Sequence, residues 1–401
     1  MSKKESARDE KRWSAFKRAQ VRYRRKGDDP NRSEDIAEMV DFGSNHDSRI
    51  LNMSPPDMVF SEDNQNSMYR GPMYGLNGFP GFFYAPGALS ESLQMEIAYQ
   101  AVSEYCESPN ATNIDLCPPK SSEEDNKDES MWEIWKRDNI VARDASINDE
   151  ATGLQQQQQS KQESSTSRKK HRSFKKLSWA TLGYHYDWTA RSYHEDAKSP
   201  MPKLLSDVSS IFARTCLCCL DDKPSNAKSY PFVASASIVN YYNIKSNMGG
   251  HRDDLELALD KPIVSLSVGL PAVFLLGGKT KDDSPVVPIL IRPGDVMCMG
   301  GDCRLNFHAM ARVLPRAVAL PNVSPTRVPI KEQKISMDNL SVPSPSLQKN
   351  EDKKAASSSG DGANWKAEVP QEEQNALIEY LSRHRININV RQVYPDVVQD
   401  K

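Results

Sequence analysis

The stretch that decides the fold is Ile238–Glu256, which reads IVNYYNIKSNMGGHRDDLE. Its first residues are typical of a strand, and they lead into the triplet His251-Arg-Asp253. Residues two apart in a strand point to the same side of the sheet. An imidazole and a carboxylate at these two positions can therefore bind one metal ion from one side.

An exposed turn is the alternative interpretation of the same residues. A His-x-Asp triplet occurs by chance in many proteins, and here it follows Gly249-Gly250. Further charged side chains surround it, namely Arg252, Asp254 and Glu256. The triplet predicts a metal site only if another part of the chain adds a third ligand.

The expected third ligand is His308, which ends the stretch GGDCRLNFH. Strands are predicted between His251 and His308 at 263–269, 272–276, 286–291 and 296–299. The first two are expected in the core, and the last two are expected to pair as a hairpin across the turn at 292–295. These strands are those needed to bring a jelly-roll strand back beside the first. His185 and His194 are competitors, but neither has a companion carboxylate in a strand followed by the remaining pattern. Two histidines and one carboxylate on one face are the ligand set of non-haem Fe(II) oxygenases.

A second polar pattern lies near the C-terminus, in the stretch RININVR at 385–391. On a strand, one face would carry Arg385, Arg391 and two amides, and the other face would be aliphatic. A half-exposed edge strand with solvated arginines is the alternative. Arginine binds carboxylates with two parallel hydrogen bonds, so this face beside a metal ion suits a dicarboxylate. Asn240 and Tyr242, also two apart, would add hydrogen bonds.

Composition limits the class of protein. The chain has 401 residues, of which 38% are hydrophobic and 26% charged, with 26 prolines, so we expect a folded core with disordered inserts. No apolar run approaches the 18 or so residues of a membrane helix, and the N-terminus lacks an apolar signal core. Seven cysteines without framework spacing favour a reducing compartment. We expect the nucleus and cytoplasm, with the mitochondrion as the alternative.

The fold class expected from many short strands is mainly β with flanking helices (α+β), built on a double-stranded β-helix, or jelly-roll, core. The predicted divisions are a basic arm and linker at 1–69, a helical nucleotide-recognition extension at 70–147, a disordered basic insert at 148–176, the jelly-roll core at 177–315, a disordered insert at 316–364, and a C-terminal helix and closing strand at 365–401.

Two aromatic stretches have a structural and a functional interpretation. Residues 1–33 are strongly basic and include Trp13, Phe16 and Tyr23, which predicts an amphipathic helix. This helix either contacts nucleic acid or packs its aromatic rings on the core. The second stretch, WATLGYHYDW at 179–188, alternates as a strand does.

Together these elements resemble the AlkB family of Fe(II)- and 2-oxoglutarate-dependent dioxygenases. The motifs that carry the resemblance are NYY at 240–242, HRD at 251–253, GGDCRLNFH at 300–308 and RININVR at 385–391. The last differs from the family pattern at Asn389, where threonine is usual. The stretches YGLNGFPGFFY, WATLGYHYDW and PIVSLSVGLPAVFLLGG look most like the eukaryotic homologue 1 branch.

The resemblance implies roles for individual residues. The Fe(II) ligands would be His251, Asp253 and His308, with Asp253 also counted as catalytic. The residues that would hold 2-oxoglutarate are Asn240, Tyr242, Arg385, Asn387 and Arg391, with Arg385 on the distal carboxylate. Arg304 and Arg312 would either brace the metal-bearing strand, which we favour, or touch the substrate.

The resemblance also implies an activity that consumes O2. A methyl group on a nucleic-acid base would be hydroxylated and lost as formaldehyde, and the base would have to be flipped or single-stranded. Candidates for stacking on it are Tyr184, Tyr186 and Trp188, although core packing is favoured for each one. We rank tRNA first as substrate, through N1-methyladenine demethylation or 5-methylcytosine oxidation, and DNA N6-methyladenine second.

Two further expectations accompany this ranking. The alternative from another class is a non-catalytic nucleic-acid-binding regulator. The expected partners are nucleic acid and 2-oxoglutarate, without a membrane, and we expect a monomer.

Overall fold

The computed structural model describes residues 13–24, 37–43, 47–53, 68–115, 129–139, 174–187, 190, 192–223, 225, 229–316 and 369–396. The predicted inserts at 148–176 and 316–364 lie outside these ranges, apart from 174–176 and residue 316. Trp188 also lies outside them. Within the described ranges, no helix has both the length and the apolar composition needed to cross a bilayer.

Short antiparallel strands make up most of the described structure. They are β1 (Ile50–Asn52), β2 (Tyr74–Leu76), β3 (Phe79–Ala85), β4 (Ala111–Thr112), β5 (Trp179–Asp187), β6 (Ser192–Lys198), β7 (Ala236–Asn243), β8 (Met248–His251), β9 (Ile263–Gly269), β10 (Ala272–Leu276), β11 (Val287–Ile291), β12 (Val296–Met299), β13 (His308–Val313) and β14 (His384–Arg391).

The larger sheet has the order β1-β2-β3-β12-β9-β14-β7-β5-β4, and β6 pairs with β5. Its inner strand β14 alternates as predicted. Ile386, Ile388 and Val390 are fully buried in the cluster on the helical side of the sheet. The intervening polar residues therefore lie on the other face, because successive side chains of a strand point in opposite directions.

The smaller sheet has the order β11-β10-β13-β8 and packs over this polar face. Side chains from both sheets form one buried cluster, which includes Tyr242, Met297, Phe274 and Met310. Two antiparallel sheets that enclose a core in this way confirm the predicted jelly-roll fold. The polar row of β14 is thus inside the protein rather than at an exposed edge.

Most of the described helices cover the outer face of the larger sheet. The described helices are α1 (Ala15–Arg24), α2 (Glu91–Ser103), α3 (Lys203–Leu220) and α4 (Gln371–Arg383), and residues 131–139 are also helical. Leu93, Phe212 and Leu377, from α2, α3 and α4, are fully buried against the strands. Ser90 caps α2 by accepting a hydrogen bond from the Leu93 amide.

Helix α1 packs on the outside of the smaller sheet. Phe16 and Tyr23 are buried there with Val273 and Leu275 of β10, so these two aromatic rings belong to the core. Gly250 is required at this contact, since a Cβ would lie 2.5 Å from the Phe16 ring. The basic residues of α1 remain on its exposed side.

The predicted hairpin between residues 286–291 and 296–299 is wrong. β11 pairs with β10, whereas β12 pairs with β3 and β9 in the other sheet. The reason is the turn between them. Asp295 is buried and accepts hydrogen bonds from the amides of Arg292 (2.7 Å) and Gly87 (2.6 Å) and from the Tyr84 hydroxyl. This network holds the chain where it crosses between sheets.

We predict that Asp295→Ala destabilises the protein by about 3 kcal/mol or more, since each buried donor left without a partner costs roughly 1–3 kcal/mol. Urea unfolding followed by circular dichroism measures the change. Asp282→Ala, at an exposed position, is the matched control. Equal stability of the two variants would contradict a structural role for this turn.

Candidate metal centre and cosubstrate cavity

The pairing of β8 with β13 places two histidines opposite each other. His251 ends β8, His308 begins β13, and the antiparallel register makes them direct partners. Side chains directly opposite in such a pair lie on the same side of the sheet. The ring centroids are 4.4 Å apart, and both rings line the cavity between the two sheets.

Asp253 completes a group of three side chains. Its carboxylate oxygens lie 3.8 Å from His251 Nε2 and 3.9 Å from His308 Nε2. The three potential ligand atoms all lie within 4.8 Å of one another. In the part of the chain that the structure describes, no other group of His, Cys, Asp or Glu is arranged in this way. The spacing suits one metal ion.

Backbone carbonyl groups fix the orientation of both imidazole rings. His251 Nδ1 lies 2.9 Å from the carbonyl oxygen of Gly249, and His308 Nδ1 lies 3.0 Å from that of Asn306. A carbonyl oxygen can only accept, so each Nδ1 carries the proton. Each Nε2 then has a free lone pair directed toward Asp253, as metal-binding histidines require.

The charge states also suit a cation. Burial, together with the neighbouring His251, lowers the pKa of His308 to about 4, so this ring is neutral at pH 7. Burial alone would raise the pKa of Asp253, but the positive charge of Arg391 and of other neighbours holds it well below its usual value. The site therefore offers a neutral nitrogen at His308 and an anionic oxygen at Asp253.

A cavity lies between the two sheets, and the three potential ligands line it. Its polar wall includes Tyr242 and Asn387, and its apolar wall includes Phe274, Met297 and Met299. Pairing of β14 with β7 explains the polar wall, because Arg385 lies opposite Tyr242 and Asn387 lies opposite Asn240. The structure thus places the predicted cosubstrate residues on the face of the larger sheet that is turned toward the three potential ligands.

Arg385 has an unusual environment for a buried cation. Its side chain is fully buried, and its guanidinium donates to the carbonyl oxygen of Leu270 (3.1 Å) and to Ser267 Oγ (2.9 Å). Among the described residues, it forms no ion pair with a carboxylate, and its Nε has no hydrogen-bond partner. Burial lowers the pKa of Arg385 to about 10. An unpaired buried charge is costly, so this group is suited to an anionic ligand.

Comparison with known proteins agrees with this geometry. A model of the 2OG-Fe(II) oxygenase superfamily matches residues 139–391, which is more than half of the chain. The chain belongs to the 2OG-Fe(II) oxygenase superfamily. Membership implies Fe(II), 2-oxoglutarate and O2, and the nitrogen and oxygen donors of His251, Asp253 and His308 fit such a metal.

Several curated proteins are similar to this oxygenase over much of its length. The nucleic acid dioxygenase ALKBH1 of Mus musculus is 29% identical over 310 residues, covering 74% of this chain and 70% of the relative. The DNA N(6)-methyladenine demethylase ALKBH1A of Arabidopsis thaliana is 26% identical and covers 96% of this chain and 95% of the relative. The tRNA demethylase abh1 of Schizosaccharomyces pombe is 33% identical over 144 residues, covering 36% of this chain and 44% of the relative. These relatives confirm the resemblance to the AlkB family and its homologue 1 branch.

The second arginine of β14 lies at the metal end of the oxygenase cavity. Arg391 Nη2 is 3.5 Å from Asp253 Oδ2, and Arg391 Nη1 donates to Glu256 Oε1 at 2.8 Å. Arg304 donates to the backbone carbonyl of Asp253 and, at 2.9 Å, to Glu256 Oε2. These contacts agree with the bracing role favoured for Arg304. Arg312 is only half-buried and lies opposite Val273.

Sequence reasoning missed several residues of this site. Glu256 was grouped with the charges of a surface turn, yet it is buried. Ser265 and Ser267 of β9 were assigned to the core, but both accept hydrogen bonds from β14. Asn387 Nδ2 donates to Ser265 Oγ at 2.8 Å, and Arg385 Nη2 donates to Ser267 Oγ at 2.9 Å. Their spacing of two within an otherwise apolar strand was the signal that could have identified them.

The tyrosines predicted to stack on a substrate base do not line the cavity. Tyr184 contacts Tyr394 edge-on, with ring centroids 5.0 Å apart, and Tyr186 contacts Tyr193 at 5.4 Å. Both are half-buried at the β5–β6 hairpin, where packing explains their positions. The third candidate, Trp188, lies outside the described residues.

We predict that His308→Ala abolishes tight binding of one divalent ion, because the remaining two ligands cannot enclose it. Calorimetric titration with Mn²⁺ measures binding without turnover. His194→Ala is the matched control, since His194 is an exposed histidine. Binding of Mn²⁺ by His308→Ala with the affinity of the control would disprove the metal assignment.

We predict that Arg385→Met weakens 2-oxoglutarate binding by about ten- to a hundredfold, because a hydrogen-bonded charged group contributes roughly 1.5–3 kcal/mol. Anaerobic titration of the Mn²⁺-loaded protein measures the affinity. Arg383→Met removes an exposed arginine two residues away and should leave it unchanged. Equal affinities in the two variants would exclude Arg385 from the cosubstrate site.

Proposed function

We propose that this oxygenase oxidatively demethylates bases in nucleic acid, using Fe(II), 2-oxoglutarate and O2. The observation that carries the proposal is a cavity lined by three potential metal ligands, beside which β14 holds an arginine that is buried without a carboxylate partner among the described residues. A purely structural network of ion pairs would explain neither the three converging ligands nor the guanidinium of Arg385, which has no carboxylate partner among the described residues.

His251, Asp253 and His308 would hold iron from one side, which leaves the opposite side for cosubstrate and O2. When bound, the iron with 2-oxoglutarate supplies the oxidising power that hydroxylates a methyl group. The two imidazoles keep Nε2 free through their backbone hydrogen bonds. Arg391 keeps Asp253 ionised and restrains its carboxylate.

2-Oxoglutarate is a dicarboxylate and needs recognition at both ends. Arg385 would bind the distal carboxylate, since its guanidinium lies away from the metal end of β14. Tyr242 and Asn387 lie along the cavity wall between the arginine and the ligands, and Asn240 supports Asn387 from the neighbouring strand. The methionines of β12 and Phe274 exclude water from the reacting centre.

The substrate base must leave its stack to reach a site between two sheets. Hydroxylation of an N-methyl group gives an N-hydroxymethyl base, which releases formaldehyde and the unmodified base. We rank tRNA first, as N1-methyladenine or through 5-methylcytosine oxidation, because structured RNA presents unstacked bases in its loops. The similarity to a tRNA demethylase supports this ranking.

DNA N6-methyladenine is the second candidate substrate. It is favoured by the relative that spans almost the whole chain, whose name is DNA N(6)-methyladenine demethylase. The basic segments at 1–33 and near residue 170 suit either polyanion. A non-catalytic regulator would retain nucleic-acid binding without turning over 2-oxoglutarate.

We predict that Asp253→Ala reduces formaldehyde release from methylated tRNA to that of an enzyme-free blank, since the only anionic ligand is lost. Asp254→Ala, one residue away and on the surface, is the control. Undiminished release from Asp253→Ala would disprove the proposed chemistry.

Substrate choice is tested by incubating the protein with total tRNA and, separately, genomic DNA in the presence of iron, ascorbate and 2-oxoglutarate. Nucleoside mass spectrometry then identifies the methylated base that is lost. Loss of a methylated base only from DNA would contradict the ranking of tRNA and favour DNA N6-methyladenine as the substrate. Binding without loss from either would favour the regulator.

A further inference from the structure

Glu256 lies at the centre of a buried ionic cluster beside the metal site. It is 3% exposed, and each of its carboxylate oxygens accepts from a different arginine. Oε2 accepts from Arg304 Nη2 at 2.9 Å, and Oε1 accepts from Arg391 Nη1 at 2.8 Å. Both arginines also contact Asp253, one at its carboxylate and one at its backbone carbonyl.

The charges of this cluster are balanced before any metal binds. The guanidiniums of Arg304 and Arg391 face the carboxylates of Asp253 and Glu256. If Glu256 were neutral, two positive groups would face one carboxylate, and that carboxylate is the proposed anionic metal ligand. A cation would then enter a site of excess positive charge, so its affinity would fall.

Tyr193 connects the same carboxylate to the β5–β6 hairpin. Its hydroxyl donates to Glu256 Oε1 at 3.1 Å, the oxygen that also accepts from Arg391. Its ring contacts Tyr186, which is its direct partner in the pairing of β5 with β6. A continuous chain of contacts therefore runs from the hairpin through Tyr193, Glu256 and Arg391 to Asp253.

We propose that Glu256 is a positioning residue that keeps Asp253 available to the metal, and that Tyr193 couples this cluster to the β5–β6 hairpin. Neither residue touches the reacting atoms. A nucleic acid that contacts the hairpin displaces Tyr193, and the displacement reaches Asp253 through two hydrogen-bonded side chains. This second part rests on the proposed function, because it requires a nucleic-acid substrate.

Coupling of this kind is reciprocal. If binding of the nucleic acid changes the affinity for the metal, metal binding changes the affinity for the nucleic acid by the same factor. Tyr186, predicted to stack on a base, would then influence the metal site through its contact with Tyr193 rather than by binding a base inside the cavity. Binding of the substrate at the β5–β6 hairpin would then alter the position of Asp253, the anionic metal ligand.

The first experiment measures Mn²⁺ affinity of the full-length protein by calorimetry, without nucleic acid. Glu256→Gln should bind Mn²⁺ about ten- to a hundredfold more weakly, as for other residues that orient metal ligands. Tyr193→Phe should weaken binding in the same direction and less strongly. Tyr230→Phe, which removes a hydroxyl that donates to Asp221 at 2.9 Å, is the matched control and should be unchanged.

The outcomes separate the two residues. Wild-type affinity in Glu256→Gln would overturn its positioning role, and wild-type affinity in Tyr193→Phe would overturn the connection to the hairpin. Circular dichroism checks that Glu256→Gln folds. If Glu256→Gln does not fold, Tyr193→Phe still tests the cluster, because it removes only the hydroxyl that donates to Glu256.

The second experiment repeats the Mn²⁺ titration with 2-oxoglutarate under anaerobic conditions, with and without methylated tRNA. In the wild-type protein, tRNA should change the Mn²⁺ affinity by a factor in the range of about 5 to 150. In Tyr193→Phe this factor should approach one. An equal factor in both proteins, or no change in the wild type, would overturn the coupling.

The two experiments distinguish failure of the coupling from failure of the proposed function. If wild-type protein neither binds nor demethylates tRNA or DNA, the proposed substrate class and the coupling fail together. The effect of Glu256→Gln on Mn²⁺ affinity stands apart from that result, because it depends only on the charges around Asp253.

Discussion

The register between β8 and β13 is the constraint on which this site depends. Moving either strand by one residue would turn its side chains to the opposite face, and one imidazole would leave the cavity. Backbone hydrogen bonds from Gly277 to Phe307 and from Phe307 to Gly278 hold the start of β13 beside the end of β10. On the other side, Phe16 of α1 packs against Gly250 of β8. The metal-binding geometry is thus fixed by neighbouring strands and a helix.

Two buried arginines on one strand have opposite electrostatic environments. Arg391 faces two carboxylates and contributes to the charge balance around Asp253. Arg385 is surrounded by neutral oxygen atoms, and no carboxylate of a described residue lies within ion-pair distance. The charge of Arg391 is compensated by carboxylates of the protein, whereas the buried charge of Arg385 has no such partner among the described residues, a costly state that an anionic ligand would relieve. The same residue type is therefore paired with carboxylates at one end of β14 and hydrogen-bonded only to neutral oxygens at the other.

Much of the site could be predicted from the sequence. Alternation in RININVR indicated the polar face of β14, and the spacing of His251 and Asp253 indicated two ligands on one side. His308 was found through its motif. These signals are local, because the side-chain direction along a strand depends only on position. Short apolar runs likewise identified β9 and β10.

Other features depend on contacts between distant parts of the chain. Glu256 appeared to be one charge in an exposed turn, because nothing in the sequence indicates that Arg304 and Arg391 approach it from two other elements. The hairpin predicted for β11 and β12 failed for a related reason. The turn residues suit a hairpin, but the Asp295 carboxylate accepts hydrogen bonds from the Gly87 amide and the Tyr84 hydroxyl, so the two strands enter different sheets.

The sequence by itself determined the strand periods, the two histidines with their aspartate, and the arginine-bearing strand. Tertiary structure alone decided which charges are balanced inside the protein and which remain for a ligand. The physical reason is that periodicity is a property of neighbouring residues, whereas the energy of a buried charge depends on every group that folding brings within a few ångströms of it.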